Sequence, residues 1–323
     1  MTIAFVLAGG GSLAAAHVGM LRALTESGVH PDLVVGTSAG AINAFCFANT
    51  PTEEGVDRLE GLWTGLRRKD VFPLSAKDIV AGLTGMRDGL LSPERLRAFL
   101  YEQIGDEQLQ DTKVAVHIIA TDLAEGEPVV LSDGVAVEAL LASSAMPGVF
   151  PPVVIDGRPF VDGAVTADTP IRQAEELGAT EIYVLPTVGP KAPSQVPKGA
   201  VPVLLRAIDQ MFGHVVANDL ASVRARIHIL PAPKHGTTSL FDFRSTERLI
   251  REAYTATRVS LGLDTEARTE PVETTPVETM PVGVRRPALV GLPSFSWAGL
   301  DRLPLPQRLR AAWSGELAAR PAN

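Results

Sequence analysis

The sequence predicts an α/β fold: three layers, with a mainly parallel sheet covered by helices on both faces. Two observations carry this expectation. Short apolar runs, Ile3-Ala4-Phe5-Val6-Leu7 and Leu33-Val34-Val35, read as strands buried on both sides. Each is followed by a glycine-containing turn and then by residues at helical apolar spacing, the order of a parallel sheet. The composition fits one large domain with an extension: 323 residues, 46% apolar and 20% charged.

The elements follow in order. After the first strand comes Gly9-Gly10-Gly11-Ser12, then a helix through His17-Val18-Gly19-Met20-Leu21-Arg22-Ala23-Leu24, with Gly28 placed to end it. Ala14-Ala15-Ala16 looks like a leader cleavage site, but no positive region precedes it and three glycines break the apolar run, so it is read as part of the fold. A second helix follows Leu33-Val34-Val35. The spacing of Val56, Leu59, Leu62, Trp63 and Leu66 predicts a helix over 52–66, ending at Arg67-Arg68-Lys69. Short helices are expected at 78–91 and at 93–104, the latter capped by Ser92.

Strands at 114–120 and 128–131 precede a helix at 135–141. Asp156-Gly157 reads as the turn of a hairpin between Val153-Val154-Ile155 and Pro159-Phe160-Val161. Pro170 opens a helix, as proline does in a first turn. A strand at 181–185, a helix at 201–226, a strand at 227–230 and a helix at 246–262 complete the domain, expected to span 1–264. Next comes a Pro-Val-Glu-Thr repeat that cannot build a core, read as a disordered linker over 265–284. The tail at 285–323 is basic. Leu305, Leu309, Trp313 and Leu317 recur there at every fourth position, as on a short amphipathic helix.

Three places carry chemistry. In Gly36-Thr37-Ser38-Ala39-Gly40 a strand turns sharply into a helix at a serine, the context of a nucleophile elbow, where Gly36 and Gly40 permit close packing. The bland alternative makes Ser38 a helix cap. The Gly9-Gly10-Gly11-Ser12 turn exposes backbone N–H groups beside a helix start and suits an anion, either a phosphate or the oxyanion of an acyl-transfer intermediate. A dinucleotide fingerprint fits poorly: Asp32 precedes the second strand instead of ending it, and no phosphate-loop lysine follows. Asp162 ends an apolar run just before Gly163-Ala164, a good position for a base.

Together these stretches resemble the patatin-like phospholipases, serine acyl hydrolases with a Ser–Asp dyad. Ala120-Thr121-Asp122-Leu123 and the run from Ala142-Ser143-Ser144 to Phe150-Pro151-Pro152 add to the likeness, which covers about 3–190 and fades beyond. The resemblance implies Ser38 as nucleophile and Asp162 as base, an oxyanion hole at Gly9, Gly10, Gly11 and Ser12, and support from Gly163. It implies a lipid or fatty-acyl ester substrate and neither metal nor cofactor. Where the family usually carries Arg or Lys followed by Gly, this chain has Leu13 and Ala14.

Competing readings are a Ser-His-Asp hydrolase using His214, His228 or His235, and an acyl-binding or acyltransferase protein with weak hydrolysis. In the first, the elbow would normally follow several strands, whereas here it follows the second. His17 is read as a packing residue. A net charge of −8 argues against a nucleic-acid partner, and the single cysteine, Cys46, excludes an internal disulfide. No apolar run is long enough to span a bilayer. The expected location is cytoplasmic; the region of Trp63 and Arg67-Arg68-Lys69 and the basic tail are candidates for peripheral membrane contact, the bland alternative for the first being a helix with a solvated charged end.

Overall fold

The computed structural model describes residues 1–72, 84, 88–189, 198–233 and 239–264. The chain divides into Met1–Thr269 and Glu270–Asn323. The linker, the tail and most of the helix expected at 78–91 lie outside the described residues, as does His235.

One sheet is built from β1 (Ile3–Leu7), β2 (Leu33–Thr37), β3 (Ala115–Asp122), β4 (Pro128–Leu131), β5 (Val153–Ile155), β6 (Arg158–Asp162), β7 (Glu181–Leu185) and β8 (Arg226–Ile229). Its order is β5-β6-β3-β2-β1-β7-β8, with β4 also paired to β3. The centre, β3-β2-β1-β7-β8, is parallel, as expected. The β3 side differs, since β4 and β6 run antiparallel to β3 and β5 antiparallel to β6. The turn between β5 and β6 is the expected Asp156-Gly157, with both residues at positive φ, 50° and 78°.

The helices are α1 (Ala16–Glu26), α2 (Ala39–Asn49), α3 (Glu53–Gly65), α4 (Arg68–Val71), α5 (Glu94–Ile104), α6 (Ala136–Ser143), α7 (Ala164–Ala167), α8 (Ile171–Glu176), α9 (Ala200–Ser222) and α10 (Thr246–Ser260). A 3-10 turn, Gly11–Ala15, leads into α1. Alternate residues of each central strand feed two separate cores, as the two-residue period of a strand demands. Phe5, Leu7 and Val34 pack with α1, α2, α6 and α10. Ala4, Val6 and Val35 pack with α7 and α8 on the other face.

The helix expected over 201–226 stops at Ser222, because Val223 turns extended to start the approach to β8. The backbones of α1 and α10 meet closely: a Cβ on Gly19 would lie 2.1 Å from the carbonyl oxygen of Ile250. The Glu26 carboxylate joins the same two helices, accepting from Arg258 at 2.6 Å and from Tyr254 at 2.8 Å.

Trp63 itself is not available for the membrane contact considered for its region. Its ring is 3% exposed and its indole N–H donates to Asn43 Oδ1 at 2.7 Å. A large aromatic on an amphipathic helix serves the core when its N–H finds a buried partner, as here. Arg67, Arg68 and Lys69 are exposed, and no described helix is long and apolar enough to cross a membrane.

Candidate active site

The turn between β2 and α2 is strained where the chemistry is expected. Ser38 has φ 56° and ψ −127°, a conformation that costs a non-glycine residue about 1–3 kcal/mol. The surroundings impose it. A Cβ on Gly36 would lie 2.6 Å from the Gly40 carbonyl, and one on Gly40 would lie 2.4 Å from the Leu7 carbonyl, so α2 starts in contact with the ends of β1 and β2. Although Ser38 stands at the position before the helix, its side chain makes no cap bond. Its Oγ instead donates to Asp162 Oδ2 at 2.8 Å.

Asp162 arrives there by a route that a purely parallel sheet would not offer. β3 runs past the end of β2, whose last residue Thr37 is level with Ile119. β6 returns antiparallel along the overhang, and its final residue, Asp162, pairs with Ala120. The two residues therefore meet head-on, one from each direction along the strands. Gly163 then passes so near β3 that a Cβ would lie 2.2 Å from the Ile119 carbonyl.

The second carboxylate oxygen, Oδ1, accepts the Ala164 N–H at 2.9 Å. Burial raises the Asp162 pKa from 3.8 to about 7; the Ala164 N–H and the Ser38 hydroxyl pull the other way, and the nearby Asp168 charge adds to the rise. Such a group exchanges a proton near neutrality, as a general base must.

The glycine loop narrows the expected set of oxyanion donors. Gly9 N–H is bonded to the Asp168 carbonyl at 2.9 Å and Ser12 N–H to the Leu240 carbonyl at 2.8 Å. The Ser12 hydroxyl donates to the Ser239 carbonyl at 3.0 Å. Both residues brace the loop, so of its four N–H groups those of Gly10 and Gly11 are left free. Each needs glycine: φ is 149° at Gly10 and 53° at Gly11, and a Cβ would strike Thr187 or the Leu240 carbonyl.

Leu13 and Ala14 are buried. Where the family usually has a cation and a glycine, this loop therefore packs into the core, and Asn43 Nδ2 donates to the Ala14 carbonyl at 2.9 Å.

His17, His214 and His228 stand on elements other than those that carry the dyad. His17 is fully buried beside Asn43, and burial lowers its pKa to about 3, so it stays neutral and packs, as expected. His228 bonds Glu181 at 2.8 Å on β8, two strands beyond β1. His214 lies on α9. Among the described residues no group of three or more His, Cys, Asp or Glu could hold a metal.

Sequence reasoning quoted Ser143 without giving it a role, and it missed the roles of Thr187, Asn43 and Leu240. Ser143 Oγ accepts the Ser38 N–H at 2.8 Å, and Thr187 Oγ1 donates to the Gly9 carbonyl at 2.6 Å. Ser143 lay inside a recognised stretch, which was the available signal. Leu240 acts through its backbone carbonyl, which leaves no trace in residue type.

A model of the patatin-like phospholipase family matches residues 5–175. A Caenorhabditis elegans patatin-like phospholipase domain-containing protein is 31% identical over 185 residues, 57% of this chain and 16% of that protein. The human patatin-like phospholipase domain-containing protein 6 is 27% identical over 186 residues, 57% of this chain and 13% of its own length. The lysophospholipase nte1 of Aspergillus terreus is 25% identical over 188 residues, 57% of this chain and 12% of that one. The chain thus matches only a small part of these relatives.

Proposed function

This chain belongs to the patatin-like phospholipase family, and from that premise we propose that it is a lipid acyl hydrolase working through a Ser38–Asp162 dyad. The observation that carries the reading is the 2.8 Å bond from Ser38 Oγ to Asp162 Oδ2 at a strained, buried elbow. Ser38 Oγ attacks the carboxylic ester carbonyl and its proton passes to Asp162 Oδ2. The Gly10 and Gly11 N–H groups receive the developing oxyanion, and Asp162 returns the proton to the leaving alcohol. Water, deprotonated by Asp162, then attacks the acyl-serine, and Asp162 passes that proton to the departing Ser38 Oγ as the fatty acid is freed. Donors aimed at the developing charge act without reorganisation, so the loop's braces at Gly9 and Ser12 serve catalysis. The substrate is a lipid or other fatty-acyl ester; the Aspergillus terreus relative named a lysophospholipase supports that class.

The test is hydrolysis of chromogenic fatty-acyl esters from short to long chain, with wild type against Ser38→Ala. Turnover confined to the wild type supports the proposal, and the chain-length profile sizes the acyl site. Turnover that survives in Ser38→Ala defeats it. Separately, His214→Ala, His228→Ala and His235→Ala are each expected to keep at least half of wild-type kcat/KM in the same assay. A loss beyond about 100-fold, the scale of a missing general base, in any of them would favour a Ser-His-Asp triad.

A further inference from the structure

On the reading that Ser38 and Asp162 are the reacting pair, we infer that Ser143 is a positioning residue, whose hydroxyl fixes the nucleophile's backbone. The argument starts from Ser38's own amide. Its N–H is buried and accepted by a side chain, Ser143 Oγ, at 2.8 Å. That hydroxyl is aimed by its second bond, donated to the Ile119 carbonyl of β3 at 2.6 Å. Ser143 is fully buried, so water does not compete for either bond.

The same turn at the end of α6 grips the base. The Ala145 carbonyl accepts the Asp162 N–H at 2.9 Å, and the Ser143 carbonyl accepts the Gly163 N–H at 3.3 Å. Two residues of one turn, Ser143 and Ala145, thus bond main-chain groups of both dyad members and set their separation. The two grips differ in kind. Asp162 is also held by its pairing in β6, whereas the Ser38 amide depends on one hydroxyl. A strained residue keeps its conformation only while its neighbours over-determine it. Without the Ser143 hydroxyl the elbow relaxes and Ser38 Oγ leaves its line to the ester carbonyl, while the substrate site is untouched.

Ser143→Ala is the test, with Val137→Ala in the same helix as a control for lost stability and Ser38→Ala as the reference for an absent nucleophile. Steady-state ester hydrolysis and the rate of Ser38 labelling by a fluorophosphonate are measured on each. Ser143→Ala is expected to lower kcat roughly 10- to 100-fold at unchanged KM, and to slow labelling by the same factor. Val137→Ala should keep both rates within about twofold of wild type at a comparable loss of melting temperature. Ser143→Cys, which retains a weak acceptor, should fall between Ser143→Ala and wild type; if Ser143→Ala does not fold, this variant carries the test. The inference is overturned if Ser143→Ala matches wild type, if Ser143→Ala and the control lose rate equally, or if the change lies in KM. Full turnover by Ser38→Ala would instead remove the dyad reading itself.

Discussion

Asp162→Asn is expected to lower kcat/KM by about 10²–10⁴-fold, the contribution of a positioned general base, and at the same time to make the protein more stable above pH 7. Both effects come from one burial. The carboxylate is 3% exposed and its pKa rises from 3.8 to about 7. The sign follows from which state holds the proton longer. The folded chain keeps it up to about pH 7, while the unfolded chain releases it near 3.8. Asp162 therefore favours folding fully only below about pH 4, and that contribution is lost as pH rises to about 7.

A rise of this size corresponds to at most about 4 kcal/mol. Asparagine removes the titration and keeps an oxygen for the Ala164 N–H. The variant's advantage in melting temperature should grow from pH 5 to pH 7 and then level off. In the wild type, kcat/KM should climb through pH 7 to a plateau, because only the ionised carboxylate can take the serine's proton. A flat profile between pH 5 and 9, together with a variant less stable at every pH, would show that Asp162 is not a buried base.

Gly40→Ala carries the largest expected effect on folding. The added Cβ would lie 2.4 Å from the Leu7 carbonyl and 2.5 Å from the Ala8 carbonyl. Both atoms are backbone at the end of the central strand, so no rotamer change relieves the clash. Overpacking a core costs about 1–3 kcal/mol where side chains can shift, and more is expected here. Gly61→Ala, in α3, is the matched control. Nothing lies within 4 Å of its Cβ, so the same change removes a helix-interior glycine and should stabilise by about 0.5–1 kcal/mol. Urea midpoints of the two variants should move in opposite directions. A wild-type midpoint for Gly40→Ala would mean that α2 does not abut β1 as described.

Much of this was legible in the sequence because it rests on side-chain periodicity and on glycine. The runs Ile3-Ala4-Phe5-Val6-Leu7 and Leu33-Val34-Val35 declare buried strands, and strands β4 and β7 fall on the residues their patterns predict. Gly36, Gly40, Ser38 and Asp162 stood out because elbow and strand-end chemistry needs those residue types. What stayed hidden is carried by backbone and by direction. Nothing in Arg158-Pro159-Phe160-Val161-Asp162 says that β6 runs against β3, yet that reversal brings the carboxylate to the serine. Trp63 marked an amphipathic stripe, and only a partner on α2 could show that it turns inward. Gly9 and Ser12 belong to the right loop, but their N–H groups were spoken for by the carbonyls of Asp168 and Leu240, acceptors that every residue type provides.

The brace at Leu240 has a consequence for biosynthesis. Ser38 and Asp162 both lie within the stretch that the family likeness covers, which ends at 175. The loop that would stabilise the reaction's charge is held from 228 residues further on, and α10, docked on α1, follows directly. A nascent polypeptide that has left the ribosome only as far as β7 thus carries Ser38 and Asp162 but leaves Ser12 unbraced. On the proposed reading, the charge-stabilising loop is complete only once Leu240 has been made and α10 closes on α1.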